Sequence, residues 1–238
     1  MSDPEASRPR ADLSPPAGRG DAARQQLIHA GLQIYAKSGF EGASTRALAK
    51  AAGANIAAIP YYFGGKEGLY LAVVDFIVDY YRQHLIPQLG AIKAKLDQSD
   101  LTLAARRELL RDFVNVLVPL VLQDGEERAL MSRIISREQL DPTSAFDRLY
   151  LGFIRDLNDT LCALIWPFIA QRPTHPKVKL VAQSLLGQVA FFRTSREAVL
   201  KTMGWPAFKG KQIDEICTLI GEQADAIIRH HESKGIVS

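Results

Sequence analysis

The sequence predicts an all-α chain, a head of three short helices followed by a larger helical part. Three observations carry this reading. Apolar residues recur at three-to-four spacing from Leu27 onward, no alternating strand pattern competes, and glycines or capping residues punctuate the early periodic runs. With 238 residues, 47% apolar and 23% charged, the composition is that of an ordinary globular protein able to bury a core. Global disorder and fibrous classes are excluded.

Residues 1–20 contain Pro4, Pro9, Pro15, Pro16, Gly18 and Gly20 with one large apolar residue, Leu13, too little to repay ordering. They read as a disordered tail. Its Arg8, Arg10 and Arg19 leave open an arm reaching a DNA minor groove, but residues 1–23 hold four acids against those three Arg. Leu27, Gly31, Ile34 and Tyr35 then predict a helix over about 22–38 that stops at Gly39. Ser44 or Thr45 caps a short helix over 46–52, Gly53 allows a tight turn, and Asn55 caps another short helix over about 56–62. Leu48, Ile56, Ile59 and Phe63 supply the small core beneath.

Helix, capped short helix, glycine turn and capped short helix within 40 residues is the order a helix-turn-helix requires. The charge agrees: residues 24–68 hold five Lys/Arg against two Glu, and residues 69–238 are nearly balanced. A helical bundle with two short helices remains the competing reading of the pattern alone. A longer helix over 66–85, with Leu69, Val73, Phe76, Ile77 and Tyr80 on one side, ends before Pro87. Further helices are expected over 88–97, 101–123, 126–140, 143–170, 177–203 and 211–231. Asp141-Pro142 is read as a helix start, and Pro119 and Pro167 should bend or end their helices.

Several chemistries are excluded on residue types. Cys162 and Cys217 stand alone, and His29, His84, His175, His230 and His231 lack ligand spacing, so no metal is expected. No phosphate-binding loop, dinucleotide fingerprint or nucleophile elbow occurs, so neither catalysis nor a cofactor is expected. No apolar run reaches the roughly 18 residues of a membrane span, and the acidic, proline-rich start is unlike a secretory peptide. The chain reads as cytoplasmic, with no membrane partner.

At Gly39-Phe40, Ser44-Thr45-Arg46-Ala47-Leu48-Ala49, Ala52-Gly53 and the run Tyr61 to Tyr70 the sequence resembles the TetR family of bacterial transcriptional regulators over about residues 24–70. Arg137 to Phe146, Gly187 to Arg193 and Gly204-Trp205 resemble the C-terminal domain of the CerR/CecR-type branch. The resemblance implies an N-terminal three-helix helix-turn-helix DNA-binding domain (21–68, linked through helix 66–85) plus a larger helical ligand-binding and dimerisation domain (86–238). It implies a homodimer on a double-stranded DNA operator, controlled by a small-molecule effector and usually repressing.

Carried over residue by residue, Thr45 holds a phosphate at a helix N-terminus and Arg46 reads a base edge. Asn55 caps the recognition helix, Ala57 and Ala58 permit close approach, Tyr61 touches bases, and Tyr62 and Lys66 meet phosphates. Pro60 departs from the family's usual Tyr or Asn. It predicts a bent or shortened recognition helix, weaker binding than an Asn variant, and as an alternative function a helical ligand-binding or adaptor protein with a weakened head.

For the effector, Phe76, Tyr80, Phe113, Tyr150, Phe153 and Trp166 are candidate apolar walls, and Arg133, Arg137 and Glu138 candidate polar anchors. Core packing or surface ion pairs compete with that role at each. Val181, Leu185, Val189 and Phe192, with Ile216, Ile220 and Ile227, form apolar lines on the last two helices. Such lines face either their own core or a two-fold four-helix contact between subunits.

Overall fold

The computed structural model describes residues 17–169 and 171–235, and every regular element among them is helical. The expected tail lies outside the described residues as far as position 16. Its last four residues belong instead to α1 (Ala17–Gly42), which opens directly after Pro16 and meets no further proline. At Gly39 the backbone leaves helical geometry, with φ 71° and ψ 178°, so the predicted stop falls at the true break. Two causes require glycine there: the positive φ, and a β-carbon would lie 2.5 Å from Arg137 Nη1.

Ser44, not Thr45, caps α2 (Thr45–Ala51), its hydroxyl accepting from the Ala47 amide at 3.1 Å. After the Gly53 turn, α3 spans Ala58–Phe63, two residues later than expected. The long α4 (Lys66–Leu96) absorbs two predicted helices, running through Pro87 rather than ending before it. Leu85, Leu89 and Ile92 keep the helical apolar stripe going, and Pro87 stands one turn after exposed Gln83, where water can take the bond proline cannot give. Likewise α5 (Leu103–Leu122) continues past Pro119, which follows exposed Asn115.

Helix α6 occupies Glu126–Leu140 as expected. Asp141-Pro142 does not start the next helix. The Thr143 amide and hydroxyl turn back to Glu138, and Thr143 Oγ1 accepts from the Ala145 amide at 3.1 Å, so α7 (Phe146–Leu149) begins later. It passes through a π-helical segment, Tyr150–Ile154, into α8 (Arg155–Ile169). Gly152 lets this segment approach α4, since a β-carbon there would lie 2.6 Å from Val78. Pro167 does not stop α8, which continues to Ile169; Arg106 Nη1 donates at 2.8 Å to the Ala163 carbonyl that Pro167 leaves without an amide.

The expected helix over 177–203 is two, α9 (Pro176–Thr194) and α10 (Arg196–Met203), separated at Ser195. Arg196 is drawn onto Asp124 at 2.9 and 2.7 Å, and Asp124 also accepts from the Phe208 amide, which fixes the break. Helix α11 is Lys211–Gly235. Helices α5, α8, α9 and α11 pack together with α4, and α1 lies against both α4 and α6. One apolar core runs without interruption from Leu27 to Ile228.

Adjacent residues of α6 join the head to the rest. Glu138 is 1% exposed and accepts from the Tyr70 hydroxyl of α4 at 2.5 Å and from the Thr143 amide at 3.0 Å. Arg137 points the other way and donates to the Lys37 carbonyl in α1 at 3.1 Å. On α4, the Lys66 carbonyl accepts from the Tyr35 hydroxyl of α1 at 2.9 Å. Burial raises the Tyr70 hydroxyl well above its ordinary value, and the bond to Glu138 raises it further; burial does the same to Tyr35.

Tyr70→Phe removes a donor from a buried carboxylate and should lower urea-unfolding stability at neutral pH by about 1.5–3 kcal/mol; an unchanged midpoint contradicts this. The raised tyrosines also couple stability to pH. The native chain keeps protons that the unfolded chain releases above about pH 10, so stability holds below that pH and falls as pH rises through it. Tyrosinate absorbance from Tyr35 and Tyr70 should therefore emerge with alkaline unfolding rather than ahead of it.

Candidate functional site

The reading head is built from small caps and a small core. Leu48 and Ile59 are fully buried beneath α2 and α3. Asn55 Oδ1 accepts from the Ala57 amide at 2.9 Å, so it stabilises the turn ahead of α3 rather than the first position of a helix begun at 56. Pro60 is the third residue of α3, where an amide has no intrahelical acceptor to lose. The helix spans six residues, and the proline sits in its first turn without an interior penalty.

That later start moves Ile56. Expected in the core, it lies in the turn and is 49% exposed. Beside it Tyr61 is 69% exposed, and Arg46, Lys50, Asn55 and Ala57 are exposed too. Arg46 and Lys50 lie one turn apart on α2, and neither meets a carboxylate among the described residues. Thr45, Ala58, Tyr62 and Lys66 are half-buried. Tyr62 packs on the core and edge-on to Tyr61, and the Lys66 ammonium stands 4.3 Å from the Phe40 ring centroid. The helix-turn-helix thus presents a basic and aromatic surface on which Arg46 and Lys50 meet no carboxylate among the described residues.

Two cavities lie behind the head. The apolar one, about 500 Å³, is bounded by Tyr81, Leu117, Ile135, Phe153, Leu186 and Val189 from α4, α5, α6, the π-helical segment and α9, a volume ordinary for small-molecule sites. Burial raises the Tyr81 hydroxyl above its usual value. The other is an open cleft of about 1140 Å³ between the end of α1, α6 and the α9–α10 break, and it contains Arg133 and Arg137.

Of the expected effector residues, Phe153 lines the apolar cavity, and Arg133 and Arg137 line the cleft. Phe113 borders a narrow gap in the core, and Phe76, Tyr80, Tyr150 and Trp166 border neither cavity. Phe76 meets His29 of α1 edge-on at 5.2 Å, Tyr80 stacks with His84, and Trp166 lies against Arg106. Glu138 is no anchor facing a cavity; its buried carboxylate is occupied by Tyr70 and Thr143.

The lines expected between subunits are also placed differently. Leu185, Val189, Ile216 and Ile220 are buried in the chain's own core, and Val181, Phe192 and Ile227 are half-buried. The outward face of α9 carries Leu180, 70% exposed, and Phe191, 57% exposed, with Ser184 and Gly187 between them; α11 adds Leu219. Among the described residues no helix is long and apolar enough to cross a membrane.

The pattern of bacterial regulatory proteins of the tetR family matches residues 27–73, and that of the C-terminal domain of the HTH-type transcriptional dual regulator CecR matches residues 106–230. The CecR protein of Shigella flexneri is 33% identical over 211 residues, covering 89% of this chain and 93% of that one. The chain belongs to the TetR family of bacterial transcriptional regulators. The crystal structure of AibR in complex with isovaleryl coenzyme A and operator DNA shares the fold, with a TM-score of 0.59, 16% identity, and coverage of 84% of this chain and 97% of AibR. That of HlyIIR, a hemolysin II transcriptional regulator, does so with a TM-score of 0.55, 17% identity, and coverage of 84% and 97%.

Membership makes this TetR-family protein a DNA-binding regulator of transcription and not an enzyme. Three features of its head and cavities escaped sequence reasoning. Lys50 carried a signal, one turn after Arg46 in the basic segment. Ile56 did not, because its place depends on where α3 begins. Arg193, which lines both cavities, was hidden because its neighbours come from α5, α6 and the far side of the α9 break.

Proposed function

We propose that this regulator binds a palindromic operator as a homodimer, acts as a repressor in the cytoplasm, and is released by a small molecule held in the apolar cavity. The observation that carries this is the head's unsatisfied surface: Arg46, Lys50 and a largely exposed Tyr61 on the two short helices of a helix-turn-helix. An exposed tyrosine and two cations without acids cost little in water, and are what a polyanionic groove takes up. In this reading Thr45 and Tyr62 hold phosphates, Arg46 reads a base edge, and Ala57 and Ala58 let α3 approach the groove. Lys66, over Phe40, supports a phosphate contact from the start of α4.

The outer faces of α9 and α11, with Leu180, Phe191 and Leu219, form the proposed subunit contact. A β-carbon at Gly187 would have nothing within 4 Å of it, so this face leaves room for a close helix crossing. Two α3 helices then enter successive major grooves, roughly 34–36 Å apart. A ligand that prefers a mis-spaced dimer by about 2.7 kcal/mol lowers operator affinity about 100-fold. The alternative of a ligand-binding adaptor needs Pro60 to weaken the head, whereas Pro60 lies in the first turn of α3.

Fluorescence anisotropy with a duplex from the region upstream of the gene tests the proposal. The protein should prefer an inverted repeat within it over random duplex, and Arg46→Ala should cost about 1–3 kcal/mol on the repeat but less on random DNA; equal affinity for both duplexes overturns the reading. Pro60→Asn adds a polar side chain beside Tyr61 and should tighten operator binding at fixed salt, whereas equal or weaker binding sinks that expectation. Phe191→Glu should give monomers in sedimentation, and a persisting dimer would place the contact elsewhere.

A further inference from the structure

The two cavities meet at Arg193. They share Ser132, Ser136 and Thr194 as well, so the apolar cavity and the cleft adjoin at this side chain. The cleft is lined by six cations, Lys37, Arg133, Arg137, Arg193, Arg196 and Lys209, against Asp124, Glu126 and Glu197. Arg196 is already taken by Asp124 and Glu197. Arg193 is half-buried, reaches only the Arg128 carbonyl at 3.5 Å, and has no carboxylate at ion-pairing distance among the described residues. Arg133 and Lys209, both exposed on the cleft, have none either. Burial, with Arg196 and Arg133 nearby, works against the charge on Arg193, although Tyr81 and Asp124 favour it.

An apolar cavity whose mouth is a half-buried guanidinium with no carboxylate at ion-pairing distance among the described residues fits a ligand with an apolar body and a negative head, because the head supplies the directly paired charge that Asp124 gives only from farther off. We infer that the effector is an amphipathic anion, its chain in the apolar cavity and its carboxylate or phosphate on Arg193 and Arg133. The inference rests on the reading of this cavity as the effector site. It also gives the signal a route. Arg137 lines the same cleft and holds the Lys37 carbonyl of α1, so an anion that draws Arg137 inward takes a bond away from the reading head.

The test uses the full-length protein and three probes that share a ten-carbon chain, all below their micelle concentrations: decanoate, decyl phosphate and decanol. Calorimetry reads binding, and anisotropy of a labelled operator reads release. At least one anionic probe should bind about tenfold or more tighter than decanol, the worth of a charge-assisted bond, and should release the operator. Arg193→Gln should remove the preference, lowering the affinity of the anions far more than that of decanol. Arg133→Gln, at an exposed position outside the core, should reduce it. The choice between carboxylate and phosphate is read from which anion binds tighter.

Decanol binding as tightly as both anions, neither anion binding, or both variants keeping the full preference would overturn the inference. Release by decanol alone would do so while sparing the ligand-released regulator. An unliganded protein that shows no operator preference would instead overturn that regulator reading, and the calorimetric comparison of anion and alcohol would still decide the inference.

Discussion

A buried carboxylate with no cation at ion-pairing distance among the described residues fixes how the reading head sits on the rest of the chain. Glu138 is held by the Tyr70 hydroxyl and by the amide and hydroxyl of Thr143, so its charge is stabilised by oriented dipoles from α4 and from the turn after α6. Each such bond to a charged group carries about 1.5–3 kcal/mol, and a donor lost from it costs more than the bond's net value. Exposed ion pairs across the same region, such as Arg148 with Asp75, carry about 0–1 kcal/mol. The orientation of α4 against α6 is therefore set by Glu138, with the surface charges adding little.

The neighbouring residue extends the constraint to α1. Arg137 bonds the Lys37 carbonyl just before Gly39, whose missing side chain leaves room for the guanidinium. The end of α1 and the first turns of α4 are thus tied to consecutive residues of one helix. Helix α4 then runs from the head through Pro87 into the body without interruption, so a small change at α6 reaches the head through a rod and a clasp. Helix α6 also lines both cavities, through Ser132 and Ser136. A switch needs a two-state element that both sites bias, and α6, like α4, touches both the head and a cavity.

Much of the head was legible because it is encoded locally. Ser44 at a cap, Gly53 at a positive φ and Gly39 at a break are each one residue acting on its own backbone. Where the outcome depended on a distant partner, the sequence was silent. Pro167 should have ended α8, but Arg106, some sixty residues earlier, supplies the missing donor. Asp141-Pro142 reads as a helix start, yet the buried Glu138 claims Thr143 first. The break at Ser195 answers to Asp124 and Phe208. The same limit applied to the cavities: the aromatic residues picked out at core spacing include Phe153, which lines the apolar cavity, while Arg193 gains its character from neighbours on α4, on α6 and across the α9 break. On α9 the apolar line was real but faced inward, and Leu180 and Phe191 on the neighbouring face were left for solvent or a second subunit.

The direct test of the clasp is a distance between the two heads. Spin labels at Lys50→Cys, in a Cys217→Ser background with Cys162 buried, report the separation across the proposed dimer by pulsed electron resonance. A narrow distribution is expected in the otherwise native protein and a broadened or displaced one when Arg137→Gln is added, with no change at the DNA face itself. Indistinguishable distributions would contradict the clasp.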